Sequence, residues 1–169
     1  MKKLALVIMA FAFGYGFGTV AFAENVPIEG SVESRCLITT SNAGVYGNPL
    51  PQKLSTAVAD GGVLPIVRYD ISLANAYKAK ITTPTAFSSS PALSDSVAWT
   101  GSTILGTTSD AGMSGYEAAK VVYDATTEFD LTVAGSTWFK STSTATYGYD
   151  KSFPGGLYSA IVVAECIAK

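Results

Sequence analysis

The chain has two cysteines, Cys36 and Cys166, and each lies in a run of alternating apolar residues near one end of the sequence. An apolar stripe of period 2 leads into Cys36, and a long apolar run from Leu157 to Ile167 carries Cys166. Period 2 is the repeat of a β-strand with one face covered. Strands at both ends, each with one cysteine, lead to the expectation that the first and last strands meet in space.

The chain start bears on whether those cysteines are oxidised. Lys2 and Lys3 precede an apolar run from Leu4 to Val20, and Ala21-Phe22-Ala23 has the small-x-small pattern that a signal peptidase accepts. Residues 1–23 therefore read as a signal peptide, cleaved between Ala23 and Glu24. The competing reading is a retained anchor, against which stand Gly14, Gly16 and Gly18 inside the apolar run. Export permits a disulfide between Cys36 and Cys166; two free buried thiols are the alternative. Cleavage removes Lys2 and Lys3 from the 11 basic side chains, leaving nine against 13 acidic ones and a net charge of −4. An acidic exported chain of this size fits one domain and argues against a nucleic-acid partner.

Past residue 24 the sequence reads as β. Strands are expected at Val63–Leu73 and Ala76–Thr82, the latter with Tyr77, Ala79 and Ile81 on one face. Thr83–Asp95, with Pro84, Pro91 and three consecutive serines, reads as a loop. Short strands are expected at Val97–Trp99 and Thr103–Leu105, either side of Gly101. Good helix formers favour a helical turn at Tyr116–Lys120, followed by extended chain to Tyr123. Phe129, Leu131 and Val133 alternate with Glu128, Asp130 and Thr132. Thr144–Tyr149 and Leu157–Ile167 complete the set. Short strands with turn residues between them argue for a single antiparallel β-sandwich over residues 35–169.

Much chemistry is missing. The chain has no histidine, which excludes the Ser-His-Asp and Cys-His arrangements, and no phosphate-binding glycine motif is present. Asp124, Glu128 and Asp130 read as a solvated face rather than a metal or carboxylate site, because Glu128 and Asp130 share the polar side of an alternating strand. No enzyme activity, metal or cofactor is expected. The two tryptophans, nine tyrosines and eight phenylalanines read mainly as core, with a glycan platform on Trp99 or Trp138 as the alternative.

After cleavage the chain begins with a short amphipathic segment, residues 24–34. Val26, Ile28, Gly30 and Val32 share one parity and their neighbours are mostly polar. Such a strand either pairs within its own domain or adds to the open edge of a neighbour.

Ile28-x-Gly30-x-Val32 followed by Cys36 and Ile38 resembles the N-terminal donor strand and first strand of chaperone-usher pilus subunits. Gly44-Val45-Tyr46-Gly47 with Pro49 is similar to that family's aromatic-glycine segment. Gly156, fourteenth from the C-terminus, and the alternation of Tyr158, Ala160, Val162 and Ala164 resemble its last strand. The pairing of Cys36 with Cys166 departs from the family's usual link between the first strand and one some tens of residues later. The chain also ends Ile167-Ala168-Lys169, without the family's penultimate aromatic.

The resemblance implies an incomplete immunoglobulin-like sandwich, complemented by a donor strand. The acceptor groove would be walled by the last strand, with Gly156, Tyr158, Ala160, Val162 and Ala164. Implied partners are a periplasmic chaperone, an outer-membrane usher and identical or related pilus subunits, and the implied destination is the cell surface. The other reading of the residues is a closed, secreted sandwich that binds a host surface or glycan.

Overall fold

The computed structural model describes Ser31, residues 33–148 and residues 151–169. Val26, Ile28, Gly30, Val32 and the cleavage position Ala23–Glu24 lie outside the described residues. The body is all β. Its strands are β1 (Cys36–Asn42), β2 (Gly47–Leu50), β3 (Lys53–Ser55), β4 (Ile66–Ile71), β5 (Tyr77–Thr82), β6 (Val97–Thr108), β7 (Val121–Tyr123), β8 (Thr126–Leu131), β9 (Gly135–Tyr147) and β10 (Val163–Ala168).

They form two sheets in which every pairing is antiparallel. The larger has the order β1-β4-β9-β3-β2, with β6 along the other side of β9; the smaller has the order β10-β5-β8-β7. β9 is long enough to pair with β4 through Gly135–Lys140 and with β3 through Thr144–Thr146. The first and last strands therefore end up at edges of different sheets.

The core lies between the sheets and follows from alternation. Val67, Tyr69 and Ile71 of β4, Ala79 and Ile81 of β5, Phe129 and Leu131 of β8 and Phe139 of β9 are buried together. The Phe129 and Phe139 rings lie 4.3 Å apart, and Tyr69 meets Phe139 edge-on at 5.6 Å. A 3-10 turn over Ala111–Tyr116 adds Met113 and Tyr116 to this cluster. Its start is capped by the Asp110 carboxylate, which accepts from the Gly112 amide at 2.7 Å.

Several expectations are corrected. The two short strands around Gly101 are one twelve-residue strand, β6. A glycine inside a strand is a weak position, but a Cβ at Gly101 would come within 2.5 Å of Thr83 Oγ1, so only glycine fits. Thr144–Tyr149 is the end of the thirteen-residue β9. Its middle, residues 140–144, is polar on both parities, yet Ser141 and Ser143 are buried, with hydroxyls 2.9 Å from Thr103 Oγ1 and the Tyr46 hydroxyl respectively. The helical turn falls earlier than Tyr116–Lys120, because the Asp110 cap starts it at Ala111. Glu117 then accepts from the Leu105 amide at 2.8 Å. β4 is shorter than Val63–Leu73, and Val63 instead bridges to Val45.

Candidate functional site: an open cleft between two edge strands

Cys36 and Cys166 are disulfide-bonded, with Cα atoms 6.5 Å apart. The bond ties β1, at the edge of the larger sheet, to β10, at the edge of the smaller. From this clasp the two chains run side by side in opposite directions. Thr40 and Asn42 share the lining of one hollow with Ala160 and Val162, and Gly44 and Tyr46 share the lining of the next with Gly156 and Tyr158. The hollows measure about 250 and 400 Å3. They adjoin through Gly44, Tyr46 and Ala160, forming one cleft along this side of the sandwich. Among the described residues no strand ladder joins β1 to β10 or to the segment before it.

The last strand is shorter than Leu157–Ile167. Hydrogen-bonded pairing starts at Val163, opposite Thr82 of β5. Beyond Thr82 the partner is lost: the Thr83 amide donates to Ala125 O at 2.9 Å, and Pro84 has no N–H to offer. Tyr158, Ala160 and Val162 therefore lie outside the ladder, whereas Ala164 is within it. Side-chain alternation nevertheless continues. Tyr158, Ala160, Val162, Ala164 and Cys166 are all partly buried, and their neighbours point outward, with Leu157 at 90% and Ile161 at 61% exposure.

The upper part of this segment is held by the loop over residues 83–95. Ser88 N donates to Ser159 O and Ser159 N to Ser89 O, both at 2.8 Å. The Phe87 ring packs 5.0 Å from Tyr158 and 4.7 Å from Trp99. Gly156 has φ +151°, and a Cβ there would come within 2.5 Å of Pro91 Cγ. That glycine is thus required where the segment bends under the loop.

On the β1 side the wall becomes progressively uncovered. Cys36 and Ile38 are partly buried against the core, whereas Thr40, on the same parity, is exposed, and a bulge then sets the exposed Asn42 opposite Ile66. The polar floor consists of Tyr46, Thr56 and Ser143. The Thr56 hydroxyl accepts from the Ser143 amide at 2.9 Å. Burial pushes the Tyr46 phenol above its ordinary pKa, with the Ser143 hydrogen bond opposing in part, so Tyr46 is neutral across the physiological range. The cleft is uncharged and lined by short apolar and hydroxyl side chains.

The two tryptophans part company. Trp99 sits in the aromatic group around Phe87, which also takes in Phe153 at 5.9 Å from Phe87. Trp138 is on the outer face of β9, with the Arg68 guanidinium 5.0 Å from its ring centre. Glu128 and Asp130 lie on the outer face of the smaller sheet, paired with Lys78 at 3.4 Å and Lys169 at 3.1 Å.

Comparison with protein-family models, with curated proteins and with solved structures finds no match. The functional reading therefore rests on the cleft itself. Sequence reasoning missed β2 and β3, whose Thr56 neighbour helps form the cleft floor. The only signal for them is the pair of turn residues, Pro51 and Gln52, between two runs of three or four residues.

Proposed function

We propose that this chain is a structural subunit of a surface fibre, built by insertion of one subunit's N-terminal segment, residues 24–34, into the cleft of the next. The observation that carries this reading is the cleft between the β1 side and the extended segment, residues 156–162, that leads into β10, with no strand ladder across it among the described residues. Each edge offers main-chain donors and acceptors, and the alternating Tyr158, Ala160 and Val162 line one wall, with Ala164 next to them inside the β10 ladder. A β-strand placed there would make main-chain hydrogen bonds on both sides and bury its apolar parity in the sandwich. Burial of Val26, Ile28 and Val32 would contribute about 1.5 to 3 kcal/mol each.

The direction in which the chain leaves β1 supports insertion into a neighbour. Arg35 N donates to Ser72 Oγ at 2.9 Å, Ser72 N to Arg35 O at 3.0 Å, and Ser72 Oγ to Glu33 O at 3.0 Å. Ser72 lies just past Ile71, the ladder partner of Cys36. Glu33–Arg35 thus continue along β4 past the clasp, away from Thr40, Asn42 and the cleft. In a chain processed after Ala23, nine residues (24–32) remain. Reversal takes at least two and the return past residues 33–35 three more, leaving about four for the cleft. The open cleft wall from Val162 to Gly156 runs seven residues, about 23 Å at ~3.3 Å per residue. A neighbour's segment has no such restriction.

The reading carries with it the immunoglobulin-like incomplete sandwich, export through the periplasm with a chaperone and usher, and a surface location. Its test is the double substitution Ala160→Arg/Val162→Arg, which places two charges in the cleft. The expected outcome is a disulfide-bonded, folded chain that no longer enters polymers, measured by light scattering and near-UV circular dichroism. Polymers formed as readily as by the natural chain would overturn it.

A further inference from the structure

We propose that the Cys36–Cys166 disulfide is the end stop of the cleft, setting how far an incoming strand reaches and hence its register; this rests on the strand-insertion reading above. Neighbouring strands in a sheet lie about 4.8 Å apart, so a strand seated between two edges needs them about 9.6 Å apart. At the clasp the two edge strands are 6.5 Å apart at Cα, which leaves no room for a third backbone. The same end is fastened a second way. The hydroxyl of Tyr69, which is the ladder partner of Ile38, lies 3.2 Å from Lys80 O and 3.1 Å from Glu165 O and donates to this pair. It thereby docks the β5–β10 ladder onto β4 next to the disulfide. Away from the clasp the constraint lifts, and both hollows lie there, between Thr40–Tyr46 and Gly156–Val162.

The occupant is the 24–34 segment of a second copy. Its apolar positions Val26, Ile28 and Val32, with Gly30 between, span seven residues. The open wall from Gly156 to Val162 also spans seven. A segment whose apolar parity is as long as the open wall meets the clasp when it is fully seated, and a slip of one residue would turn every apolar side chain outward. The covalent link sets the point where sliding stops.

Residue-resolved hydrogen exchange of the full chain, compared between its dilute monomer and its polymer, tests this. The Ser72 N to Arg35 O bond fixes the ladder phase, so the amides of Cys36, Ile38 and Thr40 point away from β4. The Lys169 N to Ala76 O bond likewise turns the Ala164 and Cys166 amides away from β5. Polymerisation is expected to slow exchange at Thr40, Ala160 and Val162 by at least about tenfold, through new strand pairing. The amides of Cys36 and Cys166 should keep their monomer rates. Equal slowing at Cys36 and Cys166 would overturn the end stop while leaving strand insertion standing. A polymer in which none of these amides slows would overturn strand insertion itself, and the end stop with it.

Discussion

Truncating Phe129 to alanine lowers the unfolding free energy by about 3 to 5 kcal/mol, the range for removing a fully buried aromatic from a core. Phe129 has no exposed surface, sits directly across the ladder from Ala79 of β5, and lies 4.3 Å from Phe139 of the opposite sheet. It is one of the contacts through which the smaller sheet grips the larger. Ala79, its neighbour, has no side chain long enough to fill the space left behind, and Phe139 is already held by Tyr69 at 5.6 Å. The vacated volume therefore persists, which is the condition for the large end of the range. Denaturant unfolding with the disulfide intact measures the effect, and a loss below about 1 kcal/mol would mean that the sheets do not meet at this pair.

Replacing both cysteines by alanine is expected to act on a similar scale through a different state. The bond closes a loop with a sequence separation of 130, for which the chain-entropy relation gives about 5 kcal/mol, and removal of native disulfides typically costs about 2 to 5 kcal/mol. Against a total stability of about 5 to 15 kcal/mol for a domain, that is a large fraction. The local effect should be asymmetric. β10 retains its ladder to β5 and the Tyr69 hydrogen bonds, whereas β1 keeps its ladder to β4 and the packing of Ile38 on the core. Melting with and without reductant should show a clear downward shift for the natural chain and none for Cys36→Ala/Cys166→Ala. An unshifted melt of the natural chain would contradict the account.

Alternation carried most of what was legible in the sequence. Ala79 and Ile81, and Phe129 and Leu131, share buried faces as their spacing demands, and the two cysteines meet because both strands that carry them are edges. Polarity misled where burial is satisfied by hydroxyl pairs: Ser141 and Ser143 are inner-face residues of β9, but nothing in their side chains marks them as such. The extent of β10 was illegible for another reason. Leu157–Val162 has the alternation of a strand, but pairing depends on a partner, and β5 ends at Thr82 ahead of Pro84. The cleft exists at that mismatch, where strand-like sequence continues past the end of its neighbour. Val26, Ile28, Gly30 and Val32 lie outside the described residues, so their part rests on sequence pattern and on the direction of Glu33–Arg35.

Deletion of residues 24–34 tests the central claim most directly. In cells that export the chain, the shortened form should fold, form its disulfide and remain a monomer, while the full chain yields high-molecular-weight polymers on the cell surface. Polymers formed equally by the shortened chain, or a full chain found only as monomer, would contradict strand insertion as the basis of assembly.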